Sequence, residues 1–145
     1  MLLSLSEIVN KAAAMKKNSD KVEWLQKNNT ISLRTILKIM YDKTVIVLLP
    51  KEPPPYNDSL AVGIEGMLYK ETRRLKIFVQ GGGYDDLNQT KRENLFIQLL
   101  QDVDKGDAAL LVKMISQKGL TGLPISVINE SFPMLINEKV EKTND

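Results

Sequence analysis

The chain has 145 residues, 43% of them apolar and 26% charged, with a net charge of +2, the balance of one globular domain. It contains no cysteine and no histidine, which excludes disulfides, cysteine–histidine zinc sites, thiol nucleophiles and imidazole bases together. An enzyme is therefore the less expected class, and the residues imply no cofactor and no metal. No apolar run approaches the roughly 18 residues of a membrane span. The opening MLLSLSEIV lacks the basic n-region of a signal peptide, so the expectation is a cytoplasmic protein without a membrane partner. The charge is polarised: residues 1–79 carry 13 Lys/Arg against 8 Asp/Glu, and residues 80–145 carry 7 against 10.

Ser4 and Glu7 stand at capping-box spacing and predict a helix over 6–17 with Ile8, Val9, Ala12, Ala13 and Met15 inward. Asp20 with Glu23 starts a short second helix, whose Trp24 reads as a core anchor between Val22 and Leu25. After the turn at 28–30, a helix over 31–42 places Leu33, Ile36, Leu37 and Met40 inward, and Arg34, Lys38 and Tyr41 outward. That pair invites a helix-turn-helix reading. Residues 44–49 (TVIVLL) are the one β-like run, expected as an extended connector or one strand of a small ribbon. The Pro-rich 51–58 (KEPPPYND) extends the chain. Its Pro53–Tyr56 matches the PPxY pattern that WW modules bind, but a rigid connector whose tyrosine packs on the core is the expected role.

A helix is predicted over 60–79, with Ile64, Leu68, Leu75 and Phe78 on its apolar face, Met67 and Ile77 beside it, and a Glu71–Arg74 pair. It carries the densest basic cluster of the chain: Lys70, Arg73, Arg74 and Lys76. Gly81–Gly83 lacks the Lys-Ser/Thr of a phosphate loop, and Asp85 and Asp86 would repel phosphate, so an interhelix connection with positive φ is expected. Residues 90–119 then predict two helices around which the chain is organised. Thr90 with Glu93 is read as the cap of the first and Asp107 as the cap of the second, with Lys118 and Gly119 at its end. The aspartates at 102, 104 and 107 fail the calcium-loop spacing. Pro124 opens a last short helix over 125–131. Residues 132–136 should tuck under the preceding helices, and 137–145 form a disordered charged tail.

The fold expectation is thus all-α: a compact multi-helix domain over 1–136, of about six helices, with an extended Pro-rich connector. Two functions follow, with metal-dependent phosphotransfer at Asp85 and Asp86 held in reserve behind them. The first is a non-enzymatic module that binds another protein, because helix pairs present grooves and no catalytic set is found. The second is nucleic-acid binding through Arg34 and Lys38, or through Lys70, Arg73, Arg74 and Lys76, joined by Lys91 and Arg92.

The order of segments carries a resemblance. NTISLRTILKIMYD (29–42), VLLPKEPPPY (47–56), ETRRLKIFVQGG (71–82), KRENLFIQLLQDV (91–103), DAALLVKM (107–114) and GLTGLPISVINESFP (119–133) follow one another. Over about 20–136 the chain resembles a family of uncharacterised small proteins encoded by marine contractile-tailed phages related to the T-even phages. Its last segment resembles that family's LTPxxVNEAFPxL, with Ser131 in place of the alanine. The resemblance implies a phage-encoded accessory protein, in the cytoplasm of the infected bacterium or packaged in the virion, binding a host or phage protein. It brings no activity, cofactor or site residue.

Overall fold

Ser4 Oγ accepts from Glu7 N at 3.2 Å, and the Glu7 carboxylate accepts from Ser4 N at 2.8 Å. The predicted capping box is therefore formed in the computed structural model, which describes residues 3–56 and 67–137. It starts α1 (Leu5–Ala14), whose buried stripe is Leu5, Ile8, Val9 and Ala12. Helix α2 (Asn18–Lys27) begins ahead of Asp20 and has no side-chain cap. Trp24 is half-buried rather than central. Its Nε1 donates to Ile8 O at 3.0 Å while Lys11 lies 4.9 Å over the ring, so it pins α2 onto α1. Thr30 caps α3 (Ile31–Tyr41), with Leu33, Ile36, Leu37 and Met40 fully buried as predicted. Tyr41 departs from the prediction and is buried too. Its hydroxyl donates to Leu123 O at 2.8 Å and accepts from Leu120 N at 3.0 Å, which makes burial of the ring affordable.

Four helices follow: α4 (Met67–Glu71), α5 (Gln89–Asp102), α6 (Lys105–Ser116) and α7 (Ile125–Ser131), with a 3₁₀ helix at Thr72–Phe78 after α4. The protein is all-α, with seven α-helices among the described residues against about six expected. Helix α6 is the centre of the packing and touches α1, α3 and α5, while α2 lies against α1 and α7. Its face of Leu110, Leu111, Met114 and Ile115 is buried, and each such side chain contributes about 1.5–3 kcal/mol on leaving water. Because α2 and α3 pack on different neighbours, they do not form the helix-turn-helix unit the sequence invited.

Both caps of the central pair sit elsewhere than predicted. Asn88, not Thr90, accepts from Lys91 N at 3.1 Å. Asp104, not Asp107, caps α6 by accepting from Gly106 N at 3.0 Å. Asp107 is turned inward, where it accepts from Ser6 N at 2.9 Å and joins α6 to α1. The end of α6 is made by Gln117 in the left-handed region (φ 55°), ahead of Gly119.

The predicted helix over 60–79 breaks into the 3₁₀ helix over its second half; Ile64 lies outside the described residues. Thr72, Leu75 and Phe78 are all buried, and this three-residue interval fits three residues per turn rather than 3.6. The expected Glu71–Arg74 pair is present at 3.4 Å. Phe78 meets Phe96 of α5 edge-on, ring centroids 5.2 Å apart. Leu48 N donates to Phe78 O at 2.7 Å and Gln80 N to Ile46 O at 2.8 Å, so the β-like run pairs antiparallel with the end of the 3₁₀ helix. Tyr56 packs against the core as expected of the connector. Of the glycine triplet, Gly81 and Gly83 do take positive φ, while a Cβ on Gly82 would lie 2.0 Å from Lys76 O. That residue is there for close approach to the helix end. In the segment 132–136, Phe132 and Ile136 are buried, but Met134 is 97% exposed and tucks under nothing. The tail from 138 onward lies outside the described residues.

Candidate functional site: a basic groove with an apolar floor

The triplet register of the 3₁₀ helix decides the site. If Thr72, Leu75 and Phe78 share one inward row, then Arg73 and Lys76 share a second row pointing out, and Lys70 on α4 extends it. With a rise of about 2 Å per residue, Arg73 and Lys76 follow one another at about 6 Å. Across from them, α3 offers Arg34 and Lys38 four residues apart on its half-exposed face. Between the two rows lies a groove of about 1090 Å³. Among the described residues its lining includes these five cations and no aspartate or glutamate.

The rest of the lining is largely apolar. Ile31 (74% exposed), Ile46 (54%) and Met134 stand on it, and these are three of the five large apolar side chains exposed among the described residues. One aromatic ring, Tyr69, is present, and its hydroxyl is committed to Leu3 O at 3.0 Å. Burial raises the pKa of Tyr69, with the Asp107 and Glu7 charges adding to the rise.

The eight basic residues singled out in the sequence therefore separate. Five converge on the groove. Arg74 turns away to Glu71 and to Asp102 of α5, at 3.4 and 3.3 Å. Arg92 is buried and spends its guanidinium on Ile77 O, Gln89 Oε1 and Tyr84 O at 3.1, 2.7 and 2.7 Å, so it supports the 81–88 loop. Lys91 is exposed and outside the groove. The apolar members Ile31, Ile46 and Met134 were not singled out by sequence reasoning. An isoleucine in the first helical turn, out of step with the Leu33/Ile36/Leu37/Met40 stripe, is the one signal that marked any of them.

The far end of α3 holds the groove in shape. Asp42 is fully buried and accepts from Lys38 Nζ at 2.5 Å, Thr44 N at 2.8 Å, Thr44 Oγ1 at 2.6 Å and Asn137 N at 2.9 Å. Burial pushes its carboxyl up, but these donors outweigh it and bring the pKa down to about 2. The bond to Asn137 ties the 132–137 segment, and so Met134, beside α3. Gln117 closes the other side: its Nε2 donates to Ile39 O, Asp42 O and Val45 O at 3.0, 3.3 and 3.0 Å. Its Oε1 accepts from Lys51 at 2.8 Å, and its backbone carbonyl from Lys43.

The acidic residues tested for metal binding are dispersed in structural roles. Asp85 accepts from Gly81 N at 3.0 Å, Asp102 pairs with Arg74, and Asp104 caps α6. Among the described residues no group of three acidic, histidine or cysteine side chains is placed to hold a metal ion, and no helix is long and apolar enough to cross a membrane.

Fold and site together define a small helical domain whose described residues form a large open groove lined by cations and apolar side chains. A family model covers residues 8–121, and the chain belongs to that family, a family of unknown function (DUF6433). No curated protein and no solved structure matches the chain.

Proposed function

We propose that the protein is a non-enzymatic binding module that docks a partner protein in the groove between α3 and the 3₁₀ helix. One observation supports this reading above the rest. Ile31, Ile46 and Met134 are exposed at a single place, where an apolar patch rimmed by polar groups is the mark of a protein contact. The context we propose is the one implied by the resemblance: a phage-encoded accessory protein whose partner is a host or phage protein, in the infected cytoplasm or in the virion. The reading is one of binding rather than turnover, since the groove offers cations and apolar carbons but no acid and base poised against each other.

A display library of helical and extended peptides, selected on the protein and counter-selected on the Ile31→Asp/Met134→Asp variant, tests it. Enrichment of groove-dependent binders is the expected result. Absence of any such binder would overturn the reading. Nucleic-acid binding is the second reading and draws on the same groove cations. It predicts oligonucleotide affinity that falls steeply with salt and is lost in Arg73→Ala/Lys76→Ala.

A further inference from the structure

We infer that the groove takes an acidic amphipathic α-helix, seated with its apolar stripe on the floor and its carboxylates against the cation rows; this rests on the protein-docking reading above. The argument begins with spacing. Arg73 and Lys76 stand three residues apart on the 3₁₀ helix, an advance of about 6 Å, and Lys70 on α4 precedes them along the same rim. Carboxylates four residues apart on an α-helix advance by the same amount, about 6 Å. On the other rim Arg34 adds a further cation, while Lys38 is already paired with Asp42. Three cations on one rim and Arg34 on the other match a helix with acids on both flanks.

Size agrees. A helix of about 10 Å diameter rising 1.5 Å per residue fills about 120 Å³ per residue, so two to three turns occupy the 1090 Å³ of the groove.

The floor selects between partner classes. Ile31, Ile46 and Met134 offer exposed apolar surface along the groove to the i, i+3, i+4 stripe by which a helix anchors in a groove. A single-stranded nucleic acid instead needs aromatic platforms for its bases, and the lining offers Tyr69 alone, half-buried and with its hydroxyl already engaged. A second copy placed groove to groove would set Arg34, Lys70, Arg73 and Lys76 against their own counterparts, which disfavours a two-fold dimer through this face.

The test uses the full chain and a synthetic stapled 16-residue peptide with leucines at i, i+3, i+4 and i+7 and glutamates on both flanks, read by fluorescence anisotropy. Three probes accompany it: its lysine-flanked counterpart, a same-composition scramble and a labelled dT12 oligonucleotide. Binding by the glutamate peptide alone is expected. Reversing two rim charges in Arg73→Glu/Lys76→Glu should weaken it about tenfold or more, whereas Lys91→Glu, outside the groove, leaves it unchanged. All three substituted side chains are exposed, and circular dichroism confirms that the variants fold. Equal binding of the scramble or the lysine-flanked peptide, or an equal loss in Lys91→Glu, would overturn the acidic-helix inference. Should other peptides compete in the groove while the glutamate peptide does not, the inference fails and the docking reading stands. If dT12 binds in the groove and no peptide does, both fail.

Discussion

The two ends of α3 spend their polar groups in opposite ways. At its C-terminal end Asp42 and Gln117 gather five backbone carbonyls and amides, a threonine hydroxyl and three lysines into bonds that close within the molecule. At its N-terminal end the groove leaves Arg34, Lys70, Arg73 and Lys76 on its rim and large apolar side chains facing water. A buried donor or acceptor without a partner costs far more than an exposed one, so the interior must satisfy itself, while the groove is free to be selected for something outside the chain. The first region carries stability and the second is open to a partner.

That contrast can be broken at its strong end first. Gln117→Ala removes the donor to three carbonyls, two of them at the end of α3, and should cost about 3 kcal/mol in urea unfolding. A loss under about 0.5 kcal/mol would mean that water replaces the amide and that the closed network carries no stability. Asp42→Asn comes next. A carboxyl held at about 2 against an ordinary 3.8 contributes about 2 kcal/mol at neutral pH. Because the folded value is the lower one, that contribution is complete above the ordinary carboxylate range and fades as pH falls from about 4 toward 2. Thermal melts of the two proteins should therefore differ at pH 7 and converge near pH 2.

Asp107 sharpens the comparison from the other direction. It is a fully buried carboxylate whose Oδ2 has no hydrogen-bond partner among the described residues. Burial pushes its pKa above 3.8, against the Ser6 donors, with the nearby Asp104 and Glu7 charges adding to the rise. A raised folded value favours the fold while the group is protonated, and that advantage is lost as pH rises through it. Asp107→Asn should accordingly raise the melting temperature at pH 7 and flatten its decline above the carboxylate range. Unchanged pH dependence would show that this group does not titrate with folding. The smallest effect is expected in the groove, where Arg73→Glu/Lys76→Glu should alter unfolding stability by less than about 0.5 kcal/mol. A larger loss would make the cation rows part of the scaffold and remove the distinction between the two regions.

How legible the molecule was differs between these regions for a physical reason. The helices were readable because helix formation follows apolar spacing along one segment: Leu33, Ile36, Leu37 and Met40 are buried where their register puts them, and Ser4 with Glu7 caps where the pair stands. Caps misread at Thr90 and Asp107 show the limit, since Asn88 and Asp104 were chemically equal candidates and only the chain's path chose between them. Tyr41 reads as outward until Leu120 and Leu123, some 80 residues on, supply its hydroxyl with partners.

The composition, the all-α class and the presence of a basic cluster were thus properties of the sequence by itself. Which cations act together was not. A period of 3.0 and one of 3.6 are nearly indistinguishable over the seven residues from Thr72 to Phe78, yet the difference aligns Lys70, Arg73 and Lys76 and sends Arg74 to Asp102. Arg34 and Met134 reach the same groove from positions one hundred residues apart, and only tertiary packing could bring them there.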